Sequence, residues 1–131
     1  MAIKHFKKLS NNYIELLESK KDFNVIIKVG KSPNTKEFKL HSVILKYRSL
    51  YFRNELLKAA KDTVSVTSID LTSNISIQQF EIIIKYIYGG FVSLENLDAQ
   101  FLFELIQAAE EFLLEELLEC LQSHLIESNA H

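Results

Sequence analysis

The sequence predicts an α+β domain, a small mixed sheet with helices packed on it. Three observations carry this. The hydrophobic share is 47% with only three Gly and one Pro in 131 residues, which excludes disordered, collagen-like and linker-like chains. Strand-like and helix-like apolar patterns alternate through the front of the chain, and the last third is helical throughout. A single domain of this length buries about two-thirds of its unfolded surface, so a core forms without disulfides or metal.

The elements follow in order. Leu9, Tyr13, Leu16 and Leu17 recur at helical spacing, predicting a short amphipathic helix over 9–19 capped by Ser10 or Asn11. Phe23–Val29 reads as a strand, and its β-branched run Val25-Ile26-Ile27 marks it as central. Gly30, Pro33 and Asn34 break the chain, and Phe38–His41 returns as the second strand of a hairpin. Ser42–Arg48 is a helix with Val43, Ile44 and Tyr47 as its apolar positions. Ser49 restarts a helix carrying Leu50, Phe52 or Arg53, Leu56 and Leu57. Thr63–Leu71 alternates as a strand, with a break at Thr67–Ser68.

Ser76 and Gln79 have capping-box spacing and open a helix with Ile77, Phe80, Ile83, Ile84, Ile87 and Tyr88 inward; Gly89-Gly90 ends it. Residues 91–94 form a short extended piece. Asp98 caps a helix running to about Phe112, and Glu115–Glu127 is the last helix.

Chemistry-bearing patterns are sparse. The four histidines, at 5, 41, 124 and 131, lack metal-ligand spacing. Cys120, on an apolar helix, reads as a buried structural thiol, and one cysteine fits a reducing, intracellular setting, cytoplasmic or nuclear. His41, between strand and helix, reads as a buried histidine bonded to backbone, and the C-terminal glutamates as a solvated face. No cofactor, metal, nucleic acid, membrane or small-molecule substrate is expected, and nothing argues for an enzyme. Net charge is −2, yet residues 1–61 hold 14 Lys/Arg against 5 Asp/Glu while 62–131 hold one Lys against 12 Asp/Glu. The chain is basic in front and acidic behind.

Several segments jointly resemble a BTB/POZ domain: Asp22-Phe23-Asn24-Val25; Phe38-Lys39-Leu40-His41-Ser42-Val43-Ile44-Leu45; Ser49-Leu50-Tyr51-Phe52; Tyr86-Ile87-Tyr88-Gly89-Gly90; and Leu105, Ala108-Ala109-Glu110, Leu114, Leu117 and Cys120. They stand in the family's order across residues 10–126. The resemblance implies a non-catalytic interaction module at 9–127, between a basic extension (1–8) and a tail (128–131), belonging to a longer protein. It implies a homodimer through the first helix, with Leu9, Tyr13, Leu16, Leu17 and Asp22 at the interface. In the family's dimer pocket an Asp pairs with a basic residue after the histidine; here Ser42 takes that place, with Lys39 or Arg48 as substitutes. The alternative is an adaptor for a cullin-type ubiquitin ligase, contacted through Tyr51, Leu56, Ala60, Lys61 and Asp62. Ala60-Lys61-Asp62 stands where the adaptors carry hydrophobic-x-Glu, so binding is expected to be weak. Asp22 and His41 are expected to be buried polar groups that satisfy backbone.

Overall fold

The computed structural model describes residues 6–59, 66–71 and 75–128. Helix α1 spans Phe6–Ser19, followed by strands β1 (Val25–Lys31) and β2 (Asn34–Leu40). Helices α2 (Ser42–Arg48) and α3 (Leu50–Ala59) lead to β3 (Thr67–Asp70), then α4 (Ile77–Gly89), α5 (Ala99–Glu111) and α6 (Glu115–Ser128). The sheet order is β2-β1-β3, with β1 antiparallel to β2 and parallel to β3. The β-branched run therefore lies on the central strand, as expected.

Val25, Ile27 and Val29 alternate inward and are fully buried; Phe38 and Leu40 face them across the ladder. On the outward face Lys28 stands between Glu37 and Asp70, so one side of the sheet is apolar and the other charged. Helix α4 lies against β1 and is buried at Phe80, Ile83, Ile84 and Ile87. The core centres on aromatics. Phe52 stacks on Phe112 at 5.3 Å, and Phe80 meets Phe38 edge-on at 4.8 Å.

The caps match their spacing. Ser76 Oγ accepts from the Gln79 amide while the Gln79 side chain accepts from Ser76 N–H, and Gly90 closes α4 at φ 74. Asp98 accepts from Phe101 N–H at 2.7 Å. Ser49 Oγ, buried, accepts from Phe52 N–H and donates to the Phe112 carbonyl, tying α3 to the end of α5.

Several expectations are corrected. Helix α1 begins at Phe6, so Ser10 and Asn11 lie inside it; Ser10 Oγ instead donates to the Gly89 carbonyl. Strand β2 starts at Asn34, leaving Ser32-Pro33 as the turn. Thr67–Ser68 is not a break but part of β3, and residues 63–65 of the expected strand lie outside the described residues. Residues 91–94 join no ladder: Val92 and Leu94 pack on the core while Phe91 and Ser93 face out, so the alternation records one-sided burial, not pairing. Cys120 is exposed. The buried side of this segment is set by Leu114, Leu117 and Leu121, and Cys120 lies about a quarter of a turn away from its centre. Asp22 is likewise exposed, in a left-handed turn at φ 59, a conformation Asp tolerates. Asn24 does the capping from that region: its Oδ1 accepts from Ser42 N–H and its amide donates to Ser42 Oγ, both at 2.8 Å.

Candidate protein-interaction surface

Helix α1 has no buried residue. Its inner side, Ile14, Leu16 and Leu17, packs half-buried on the core. Its principal neighbour is α4. The contact is close at Gly89, where an added Cβ would lie 2.8 Å from Ile14 Cδ1 and 2.9 Å from a Phe91 ring carbon. Glycine lets the two helices meet there, and the Ser10–Gly89 hydrogen bond fixes the crossing.

The other side of α1 borders a groove of about 550 Å³. Phe6, Leu9 and Tyr13 form one wall, Val43, Ile44 and Tyr47 of α2 the other, and residues 87–90 at the end of α4 contribute the rest. Tyr47 is 86% exposed, Phe6 68%, Val43 58% and Leu9 52%. This is a large apolar area in water. Arg48 also lines the groove; its Nε donates to the Ile87 carbonyl at 3.1 Å and its guanidinium lies 5.8 Å from the Tyr86 ring centroid.

The structure divides the expected interface set. Leu9 and Tyr13 reach the groove, Leu16 and Leu17 turn to the core, and Asp22 sits in the turn after α1, outside the groove lining. Phe6 and the α2 wall are residues that sequence reasoning did not place in the interface. Val43, Ile44 and Tyr47 have core-facing spacing, but the one buried residue of α2 is Leu45. A seven-residue helix with apolar residues on two sides carries no signal saying which side is inward. Leu50 and Leu57 of α3 are exposed for the same reason, with Phe52 and Leu56 inward.

Among the second set, Leu56 is a core residue, 4% exposed. Tyr51 is half-buried, its ring edge-on to Phe52 and Phe112; burial raises its pKa, with Glu55 and Glu111 adding to the shift. Ala60, Lys61 and Asp62 lie outside the described residues.

Behind the groove is a polar network. His41 is 5% exposed. Its Nδ1 lies 2.8 Å from the Tyr88 hydroxyl and its Nε2 2.6 Å from the Lys21 carbonyl, while its own N–H donates to the Tyr88 hydroxyl. Burial pushes the Tyr88 phenol well above the usual tyrosine range. Tyr86 is raised as well, by burial and then by the Glu116 charge, and its hydroxyl donates to Glu116 at 3.4 Å. Among the described residues no group of His, Cys, Asp and Glu is arranged to hold a metal, and no helix is long and apolar enough to cross a membrane.

The fold and this surface can be set beside known proteins. The family description "BTB/POZ domain" matches residues 13–129. The BTB domain of human gigaxonin is 22% identical, with a TM-score of 0.69 over 95% of this chain and 96% of that one. The BTB domain of zebrafish PATZ1 is 20% identical, with a TM-score of 0.71 over 97% and 98%. No curated protein sequence matches the chain significantly. The family match spans the chain from the middle of α1 to the end of α6, and the solved domains share its architecture: this chain belongs to the BTB/POZ family of non-catalytic protein-interaction modules, which typically homodimerise.

Proposed function

We propose that this domain homodimerises through the outer side of α1 together with the exposed side of α2. The observation that carries this reading is the continuous apolar groove between Leu9, Tyr13, Val43 and Tyr47. Those side chains contribute nothing to the core, and a stable two-fold interface needs roughly 1,200–2,000 Å² of largely apolar surface. Association then joins whatever the two chains carry beyond the domain. The test is light scattering on the wild type and on the double variant Leu9→Glu, Tyr13→Glu. The wild type is expected at twice the 15.2 kDa chain mass, and the variant at the chain mass with unchanged circular dichroism. A dimeric variant would overturn this interface.

A second reading, a weakly binding adaptor for a cullin-type ubiquitin-ligase scaffold, is favoured by Tyr51, which keeps part of its ring at the surface of α3. In Ala60-Lys61-Asp62 both contacting side chains are shorter than the family's hydrophobic-x-Glu, at about 0.8 kcal/mol per missing buried methylene. Ala60→Met with Asp62→Glu should strengthen calorimetric binding to a cullin N-terminal domain. Tight binding by the wild type would sink the idea of a degraded element.

A further inference from the structure

We propose that the outer edge of β2 pairs antiparallel with β2 of a second copy, about a two-fold axis at Phe38, joining two sheets into one. The ladders show which backbone groups are free for this. Thr67 N–H donates to the Asn24 carbonyl and Leu71 N–H to the Lys28 carbonyl, so the even positions of β1 face β3. The odd positions Val25, Ile27 and Val29 face β2, where they meet Leu40, Phe38 and Lys36. Glu37 and Lys39 alternate with these and point their N–H and C=O away from the sheet, which ends at β2. Both residues are exposed, and among the described residues these backbone groups have no hydrogen-bond partner.

Charge selects the occupant and the register. On the outward face Asp70, Lys28 and Glu37 stand in one row across the strands, and Ser68, Ile26 and Lys39 in the next. The first row alternates in sign and reaches the edge on a carboxylate; the second reaches it on an ammonium. A copy whose Lys39 opposes Glu37 brings its own Glu37 against Lys39 at the same time, two favourable cross-strand pairs from one register. The first row then carries its alternation on into the second copy. Moving the axis to residue 37 sets glutamate on glutamate, and moving it to residue 39 sets lysine on lysine, both unfavourable. The backbone agrees with the charges. At the Phe38 axis the free groups of Glu37 and Lys39 face each other, and each pair exchanges both main-chain bonds.

Lysine on an edge strand ordinarily blocks such pairing. Here Lys36 is already held by Glu81 of α4 at 2.8 Å. Lys39, whose ammonium lies over the Phe23 ring, gains a carboxylate from the second copy in this register. Strand β2 contributes nothing to the groove between α1 and α2, so the contact is independent of the dimer proposed above. One strand pair buries less than the roughly 1,200–2,000 Å² of a standard specific interface. The association is therefore weak, with a dissociation constant on the order of 0.1–1 mM, and dilute chains show none of it. Where both contacts form, a consequence that alone rests on the α1 reading, two different two-folds on each chain string dimers into an open row.

The test uses the full chain at physiological salt, as a concentration series read by sedimentation equilibrium and amide exchange. As mass climbs above its dilute value, the Glu37 and Lys39 amides should slow. Those of Lys36 and Phe38, already bonded to β1, should keep their rates. Glu37→Lys and Lys39→Glu should each raise the dissociation constant about tenfold, because each change falls on both symmetric pairs. The double reversal restores opposite charges and should bring the constant back toward the wild-type value. Exchange at 37 and 39 that ignores concentration overturns the edge contact. A double reversal no better than the single ones overturns the register. Protection gained at Ser68 and Asp70 together with β2 overturns the two-fold, since a β2–β3 contact runs head to tail. Leu9→Glu with Tyr13→Glu should halve the dilute mass and leave the edge protection as it is. A chain already monomeric when dilute would remove the dimer reading, with exchange at 37 and 39 still judging the edge by itself.

Discussion

Leu113 holds a left-handed backbone at φ 57 in the turn between α5 and α6, where its N–H donates to the Glu110 carbonyl and Leu114 N–H donates to Ala109. A Cβ in that conformation costs roughly 1–2 kcal/mol, and Leu113 recovers little of it because its side chain is half exposed. Leu113→Gly should therefore raise stability by about 0.5–1 kcal/mol after the extra chain entropy of glycine is counted. Denaturant unfolding reads this directly, and a loss of stability would mean that the leucine packs more tightly than its exposure indicates. Nothing local in the sequence marks position 113, since glycine is the usual residue there. His41 was legible as a buried histidine because an apolar strand led into it. Its partners were not, because Tyr88 lies 47 residues away and Lys21 contributes only backbone. Cys120 misled for a related reason: Leu118 and Leu121 bracket it in sequence and pack on the core, but on a helix Cys120 itself falls off that face.

At the scale of elements, α1 is the least embedded helix, held mainly by its crossing with α4. Gly89→Val should drive the two apart at Ile14 and Phe91 while leaving the sheet and α4 to α6 in place. The expected result is fast amide exchange confined to residues 6–19; unchanged protection would show that the Ile14 side chain can yield without cost. Helices with capping signals were legible to within a residue, as Ser76, Gln79, Gly90 and Asp98 show. Periodicity located α2 but not its inward side, because that depends on where β2 delivers the chain. The groove was half legible for the same reason: the α1 wall has a single apolar stripe, and the α2 wall needs the tertiary arrangement before it can be seen.

For the whole molecule, five weak motifs in one order identified the family where no single motif could, because their order reflects one topology. The charge division also belongs to this scale. Residues 1–61 carry a balance of +9 (14 less 5) and residues 62–131 one of −11 (1 less 12). The ion pairs Lys36–Glu81 and Lys58–Glu55 lie at the surface. Basic hairpin and acidic α5–α6 face can therefore attract between molecules, head to tail, in contacts that do not close. Exposed charges are screened beyond about 8–10 Å at physiological salt. Average mass should fall between dilute buffer and about half-molar salt, down to that of the dimer proposed above. A mass that stays flat with salt would show that the charge division does not drive association, and a rising one would assign it to apolar patches.

The strand order β2-β1-β3 also sets a sequence of events in time. Lys31 and Asn34 pair across a two-residue turn, whereas Val25 pairs with Thr67, 42 positions on. Hairpins close in roughly microseconds, while a distant parallel pairing must wait for the intervening chain to be ordered. During folding the second edge of β1, the most apolar strand, therefore stays open until α2 and α3 have carried the chain across. A nascent chain still short of β3 presents that edge to any other extended segment, and the four residues Thr67–Asp70 are what finally shut it.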